Sequence, residues 1–170
     1  NAFFTAQLIY QAQSRESSDI EIDQLSQSME AAIEVRLQRL EKSAAKTLNV
    51  CAVAGVRFAA ETIVEVLKGE DDIDDVLATL EETLVSHKLI FFPSRETVSN
   101  ETHYEFEHGI IQRYVYDHIG PATRRHWHKR FAEFYEREAT DDRQAAARRI
   151  GLHYEAAGAA GKASEYFASA

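Results

Sequence analysis

The sequence predicts a mainly α-helical protein that contains one short β-hairpin. Only 2 proline and 7 glycine residues occur among 170, a composition that favours helices. Apolar residues recur at helical spacing, as Ile33, Leu37 and Leu40 do. This helical period changes only in residues 89–92, an apolar run, and in residues 104–106, which alternate between apolar and polar side chains. Two such strands joined by a polar loop predict the hairpin.

Composition restricts the classes of protein to which the chain can belong. A hydrophobic content of 45% and a charged content of 28% are typical of a globular protein of one or two domains. The net charge of −9 argues against a surface that seeks nucleic acid or anionic membranes. No apolar run approaches the ~20 residues that cross a bilayer, and the start lacks the basic region of a signal peptide. The single cysteine, Cys51, excludes an intramolecular disulfide and fits a reducing compartment. We therefore expect a cytoplasmic location and no membrane partner.

Residues 41–107 follow the order of a winged helix, which is three helices and then a β-hairpin. The first helix covers residues 43–54 and is broken by Gly55. A second follows in residues 59–67, and a third begins at an N-cap supplied by Asp71 or Asp72. Its apolar stripe runs through residues 73–84. The expected core of the three helices consists of Leu48, Ile63, Leu77, Leu80 and Leu84.

Residues 108–170 are predicted to be helical throughout and to end in a helix-turn-helix repeat. The repeat pattern alternates small residues, which allow two helices to approach, with aromatic residues that wedge between them. Its positions are Ile150, Gly151, Tyr154, Gly158, Ala163, Phe167 and Ala170. A single repeat of this type cannot bury its apolar face alone. We therefore interpret the chain as a piece of a larger, helical, protein-binding molecule.

Taken together, these segments resemble the region that follows the nucleotide-binding core of STAND-type signalling ATPases, a branch of the AAA+ superfamily. Residues 1–4, Asn-Ala-Phe-Phe, are similar to the Gly-Asn-Pro-aromatic-Phe motif of the lid, without its glycine and with Ala2 for the proline. Residues 48–58 resemble the opening of the family's winged helix. Residues 104–113 resemble its Phe-x-His-x-hydrophobic-Ile-x-Arg motif, and residues 153–170 its first TPR-like repeat. The resemblance implies lid helices in residues 1–40, a winged helix in 41–107, and a helical linker with a TPR-like repeat in 108–170.

This resemblance also implies a function and two site residues. It implies a non-catalytic regulatory module that couples nucleotide state in a parent ATPase to protein-binding helical repeats. ATP or ADP and Mg²⁺ would then bind the parent's nucleotide-binding core, and a partner protein or inducer would bind the repeats. His108 lies where related proteins carry Met-His-Asp, whose histidine touches the phosphate of ADP, so the resemblance makes it a candidate nucleotide sensor. Glu107 and Gly109 replace the Met and Asp, and Asn1 belongs to the lid motif.

The residues themselves provide no pattern for catalysis. ATP hydrolysis requires a phosphate-binding loop of the form Gly-x-x-x-x-Gly-Lys-Ser/Thr. The pairs at residues 42–43 and 46–47 are Lys-Ser and Lys-Thr, but neither follows the required glycines. His126 and His128 cannot share a metal ion, because residues two apart on a helix point about 200° apart. We therefore predict no enzyme activity, no cofactor and no metal in this chain.

A basic cluster stands out in the otherwise acidic chain, at Arg124, Arg125, Lys129 and Arg130. One interpretation is a contact for an anion such as a phosphate group, for an acidic partner or for nucleic acid. The alternative is a solvated helix face whose cations pair at helical spacings with Glu133, Glu136 and Glu138.

DNA binding is the alternative function for a winged helix, as in transcriptional regulators. The third helix would then enter the major groove. Here that helix and its flanks carry Glu70, Asp71, Asp72, Asp74, Asp75, Glu81 and Glu82. Carboxylates at a phosphate backbone oppose the counterion release that drives such binding. We therefore expect no DNA binding through this surface.

Overall fold

The computed structural model describes residues 18–93, 101–139 and 143–170. The chain divides into two compact units, Asn1–Arg39 and Leu40–Ala170. In the first unit, helix α1 spans Ser18–Leu37. Asn1 and the rest of the predicted lid motif lie outside the described residues. The described residues are mainly helical with one small antiparallel sheet, which confirms the predicted mainly α class. The predicted boundary between residues 107 and 108 stays a prediction.

The second unit contains the sheet and the seven remaining helices of the described residues. In chain order, the elements are α2 (Lys42–Ala54), β1 (Arg57–Ala59), α3 (Ala60–Leu67), α4 (Ile73–Ala78), β2 (Ile90–Phe91), β3 (His103–Phe106), α5 (Gly109–His118), α6 (Pro121–Glu138), α7 (Arg143–Ala156) and α8 (Ala160–Ala168). Helix α4 continues directly into a π-helical segment, Thr79–Leu84.

The sheet has three antiparallel strands in the order β1-β3-β2. Pairing of β2 with β3 confirms the predicted hairpin, in which Ile90 faces Phe106. The two-stranded prediction was incomplete, because β1 pairs with the other edge of β3 and places Phe58 opposite Tyr104. Three residues are too few for an alternating pattern to be recognised in the sequence. The Phe58 ring contacts that of Phe106 edge-on, with centroids 5.9 Å apart, which anchors β1 to the core side of the sheet.

Helix α2 is the centre of the core, since it packs against α3, the π-helical segment, α5 and α6. Four of the five predicted core residues, Leu48, Ile63, Leu80 and Leu84, are fully buried. The exception is Leu77, which is only partly buried, and Ile73 at the start of the same stripe is 48% exposed. The apolar stripe of α4 is therefore narrower than predicted.

Helix ends follow the signals in the sequence. Asp72 caps α4, and its Oδ1 accepts a hydrogen bond of 2.9 Å from the backbone N–H of Asp74. Pro121 occupies the first turn of α6, where its missing N–H costs nothing. Gly158 adopts a φ of +81° just after α7, a left-handed conformation that glycine adopts without strain. In the described structure, Gly158 therefore ends a helix.

Helix α7 packs against both α6 and α8, and small residues lie at these contacts. Ala132, Ile150, Tyr154 and Ala163 form a buried cluster of this region. Gly151 is buried beneath Phe167, because a Cβ built on this glycine would lie 2.6 Å from Phe167 Cε1. The predicted small-to-large contact between these two positions is therefore present. Ala170 lies beyond the end of α8 and is exposed.

Replacing Gly151 with alanine tests this contact, because two effects oppose each other. Alanine in a helix interior is more favourable than glycine by about 1 kcal/mol. The new methyl group also displaces the Phe167 ring, which is 40% exposed and can rotate outward. We expect Gly151→Ala to raise the free energy of unfolding by about 1 kcal/mol in a Phe167→Ala background and by less with Phe167 present. Urea denaturation of the four proteins measures this, and equal effects in both backgrounds would contradict the contact.

Candidate functional site

His108 lies at the junction between β3 and α5, where its side chain is exposed. It is the N-cap residue of α5, and its backbone carbonyl accepts the N–H of Ile111 at 2.9 Å. Its imidazole makes no capping hydrogen bond. The neighbouring Phe106 is fully buried, so the core position at this junction belongs to the phenylalanine. His108 is therefore accessible to a group outside this unit, and its role as a sensor stays a prediction.

Members of the basic cluster on α6 point to different partners. Lys129 pairs with Glu133 one turn away, at 3.7 Å, as the helical spacing predicts. Arg130 instead reaches Glu70 and the carbonyl oxygen of Lys68, the latter at 2.8 Å. Arg124 lies over the ring of Tyr116, and Arg125 is exposed beside Gly158. The predicted pairing with neighbouring glutamates therefore describes Lys129, whereas Arg130 makes a long-range contact.

Glu70 is the centre of an ion-pair network that joins α6 to the turn between α3 and α4. Its Oε2 lies 3.0 Å from Lys46 Nζ, which also contacts Asp71 at 2.8 Å. Its Oε1 lies 3.2 Å from His126 Nε2 and 3.3 Å from Arg130 Nη1. Partial burial alone would lower the pKa of Lys46, but its bonds to Asp71 and Glu70 outweigh that effect and raise the pKa. The network therefore holds α2, the α3–α4 turn and α6 in one register.

A second polar cluster joins α6 to α7 and α8 around Glu136. Its Oε1 accepts a hydrogen bond of 2.8 Å from the Tyr166 hydroxyl and lies 3.4 Å from Lys162 Nζ. Lys162 also donates to the Tyr154 hydroxyl at 2.9 Å. Burial and the Glu136 carboxylate together raise the pKa of Tyr166 to about 12, so this phenol stays protonated and remains a donor. The small-to-large packing is thus reinforced by a satisfied polar cluster.

A partly buried relay of three rings connects α5, α6 and α7, with the buried His128 at its centre. His128 Nε2 lies 2.8 Å from the Tyr116 hydroxyl, and His128 Nδ1 lies 2.9 Å from His153 Nδ1. The Phe131 ring stacks against that of His153, with centroids 5.3 Å apart. Burial, together with the positive charge of Arg124, lowers the pKa of His128 to about 4. Burial, His128 and Arg149 lower the pKa of His153 to about 3, so both imidazoles are neutral at pH 7.

The relay ends at a cleft of about 730 Å³ between the β1 edge of the sheet and helices α6 and α7, here called the α6–α7 cleft. Phe58 and Thr62 line one side of it, and Tyr135 and His153 line the other. Charged side chains also line it, namely Arg57, Glu101, Glu138 and Arg149. Its volume falls in the range of about 300–1,000 Å³ typical of small-molecule sites.

Spacing in the sequence could not reveal this site. The rule that separates His126 from His128 by about 200° holds, because His126 contacts Glu70 on the surface while His128 is buried. His128 is therefore a buried residue of α6, although its neighbour two positions away is solvated. Its partner His153 is 25 residues away, beyond any helical spacing. The sequence held one signal for the burial of His128. It lies three positions before Phe131, on the same side of the helix as this buried residue, whereas His126 lies on the solvated side.

In the part of the chain that the structure describes, the side chains needed for metal binding are not grouped together. No group of three or more His, Cys, Asp or Glu side chains there is arranged to hold a metal ion. Cys51 is fully buried in α2 and is a core residue. Burial raises the pKa of its thiol, so the thiol stays protonated. Among residues 18–93, 101–139 and 143–170, none of the helices combines the length and apolarity needed to cross a membrane.

Comparisons with known proteins found no matching family model, no matching curated protein and no matching solved structure.

The depressed pKa values of the two buried histidines predict acid sensitivity between about pH 6.5 and pH 4. In this window the unfolded chain binds protons that the folded chain does not, so stability falls as pH falls and is fully present above about 6.5. Each histidine contributes a slope of about 1.4 kcal/mol per pH unit. We expect His153→Gln to reduce the slope measured by urea denaturation between pH 6.5 and pH 5, above the range where carboxylates titrate.

His118→Gln is the matched control, because His118 is an exposed histidine on α5. The change in slope caused by His153→Gln is compared with the change caused by this variant. A slope that His153→Gln leaves unchanged would show that the buried pair does not titrate as described.

Proposed function

We propose that this chain is a non-catalytic coupling module of a larger ATP-dependent signalling protein of the STAND type. In this proposal, residues 41–107 form a winged helix and residues 108–170 a helical linker with the first TPR-like repeat. The observation that carries it is the element order, in which three core helices precede an antiparallel ribbon and helices α5 to α8 follow it. The buried Gly151 beneath Phe167 and the resemblance of residues 104–113 to the family motif support the same assignment.

The shared helix α6 gives the module a physical means of coupling. It packs on α2 and α3 on one side and on α7 on the other. A shift of the winged helix against a nucleotide-binding core would therefore move the helical array as well. The repeats would bind a partner protein or inducer, and nucleotide would bias the equilibrium between two arrangements of the parent.

His108 is the residue through which this module would touch the nucleotide. It is exposed at the start of α5, so its imidazole can donate to a phosphate held by the parent's core. ATP or ADP with Mg²⁺ would be bound by that core, because this sequence contains no phosphate-binding loop. The module by itself would accordingly not be an enzyme, and its expected location is the cytoplasm.

The acidic surface disfavours the alternative of a DNA-binding winged helix. Asp72, Asp74, Asp75, Glu81 and Glu82 are exposed on or next to α4 and the π-helical segment. Five unneutralised carboxylates on the element that would enter the major groove repel the phosphate backbone. Two basic residues of α6, Lys129 and Arg130, do not offset them, because both are themselves paired with glutamates.

The test is His108→Ala in a full-length protein that carries this chain, measured by the rate of ADP release. A hydrogen bond to a charged group contributes about 1.5–3 kcal/mol, so its loss should speed release by about tenfold or more. His118→Ala, an exposed histidine further along α5, is the matched control and should leave the rate unchanged. Equal release rates for the His108 variant and the unmodified protein would contradict the sensor role.

A further inference from the structure

The α6–α7 cleft has an aromatic wall that is held rigidly. Tyr135 and His153 line it, with ring centroids 5.6 Å apart. Behind them, the buried Phe131 stacks on both rings, at 6.2 Å from Tyr135 and 5.3 Å from His153. Phe58 and Phe134 also line the cleft, so its lining is aromatic on more than one side and suits a flat apolar group.

Arg149 is placed at this wall by its own contact. Its guanidinium carbon lies 4.9 Å from the centroid of the Tyr135 ring, a cation–π geometry, and it also hydrogen-bonds to the Tyr135 side chain. A guanidinium carries five N–H donors, so one bond to Tyr135 does not exhaust them, and the side chain lines the cleft. The other arginine of the cleft, Arg57, has a carboxylate partner, because its Nε lies 3.7 Å from Glu105. Arg149 is therefore the cation of the cleft best placed to bind a carboxylate.

The His153 ring adds a polar group whose character the relay determines. Its Nδ1 is bonded to His128, which leaves Nε2 for the cleft that the residue lines. When Tyr116 donates to His128 Nε2, His128 donates from Nδ1 to His153 Nδ1, and His153 carries its proton on Nε2 as a donor. When all the bonds reverse, Nε2 is an acceptor. A carboxylate in the cleft therefore selects the donor state.

The cleft is also lined by carboxylates, which favour a positively charged group on the ligand. Glu138 lines it from the last turn of α6, where its side chain is exposed. Glu101 lines it from the start of β3, with Oε2 3.6 Å from His103 Nε2. The cleft therefore offers both charges, so a ligand with a single charge would leave one of them unsatisfied.

We propose that the α6–α7 cleft binds a small zwitterionic ligand of the amino-acid class that carries an aromatic or flat apolar group. The carboxylate binds Arg149 and the Nε2–H of His153, the ammonium binds Glu138, and the apolar group packs against the aromatic side chains Phe58 and Phe134 that also line the cleft. This proposal does not rest on nucleotide coupling, because no residue in it contacts His108. The two can therefore fail separately.

The test is a titration of the ¹⁵N-labelled chain with L-phenylalanine, followed by the amide signals of the cleft and the ring nitrogens of His153. Two analogues serve as controls: 3-phenylpropionate lacks the ammonium, and 2-phenylethylamine lacks the carboxylate. We expect L-phenylalanine to bind at least about tenfold more tightly than either analogue, because each lost charged hydrogen bond costs that much. Its binding should shift the His153 signals toward the tautomer protonated on Nε2.

Variants assign the two ends of the ligand. Arg149→Gln should weaken L-phenylalanine about tenfold and leave 2-phenylethylamine unchanged, while Arg148→Gln, an exposed neighbour outside the cleft, changes neither. Glu138→Gln should weaken L-phenylalanine and leave 3-phenylpropionate unchanged, with Glu155→Gln as its matched control. All four positions are exposed, so the variants keep the fold, and their amide spectra check this.

Several results would each overturn the proposal. They are no shifts with L-phenylalanine in the millimolar range, equal binding of 3-phenylpropionate and L-phenylalanine, or equal effects of Arg149→Gln and Arg148→Gln. Shifts confined to residues outside the cleft would overturn it as well.

Discussion

The burial of one face of α6 against α2 and α3 is the interaction on which the second unit depends. Trp127 on this face is 3% exposed, with Lys46 Nζ of α2 5.9 Å from the centroid of its ring, and burying a side chain of this size contributes about 1.5–3 kcal/mol. The opposite side of the same helix carries Ala132 into the cluster of α7 and α8. A single helix therefore belongs to both packing regions, and α7 and α8 take their position from it.

Polar contacts contribute little to the stability of α6 but determine its register against the neighbouring helices. The ion pairs of Glu70 are partly exposed, and such pairs contribute about 0–1 kcal/mol each. They nevertheless specify which turn of α6 faces the α3–α4 connection, because His126 and Arg130 reach the same carboxylate oxygen. The bond from His128 to Tyr116 fixes the same register against α5. Apolar burial thus supplies the energy, and polar geometry selects one arrangement.

Local signals in the sequence predicted local structure well. Helical spacing found the helices of residues 42–84 and 109–168, the cap at Asp72 was correct, and four of the five expected core residues are buried. Strand β1 was missed because it has three residues and gains its stability from pairing with β3, 44 residues later, counted from Ala59 to His103. Pairing of that kind leaves no periodic trace.

In the candidate sites, too, contacts between residues close in the sequence were predictable and contacts between distant residues were not. The contact between Gly151 and Phe167 was predictable, because a repeat pattern encodes it within one helical hairpin. Neither the partnership of His128 and His153 nor that of Arg130 and Glu70 was predictable, since each joins residues that only the tertiary fold brings together. The α6–α7 cleft combines side chains from residues 54 to 153, so its composition exists only in the folded chain.

The most direct measurement of the role of α6 is native-state hydrogen exchange at increasing urea concentration. If α6 is shared as described, amides of residues 50–53 in α2 and of residues 128–132 in α6 should exchange through one opening reaction, with the same free energy and the same urea dependence. Exchange of the α6 amides at lower urea, while those of α2 remain protected, would contradict the account.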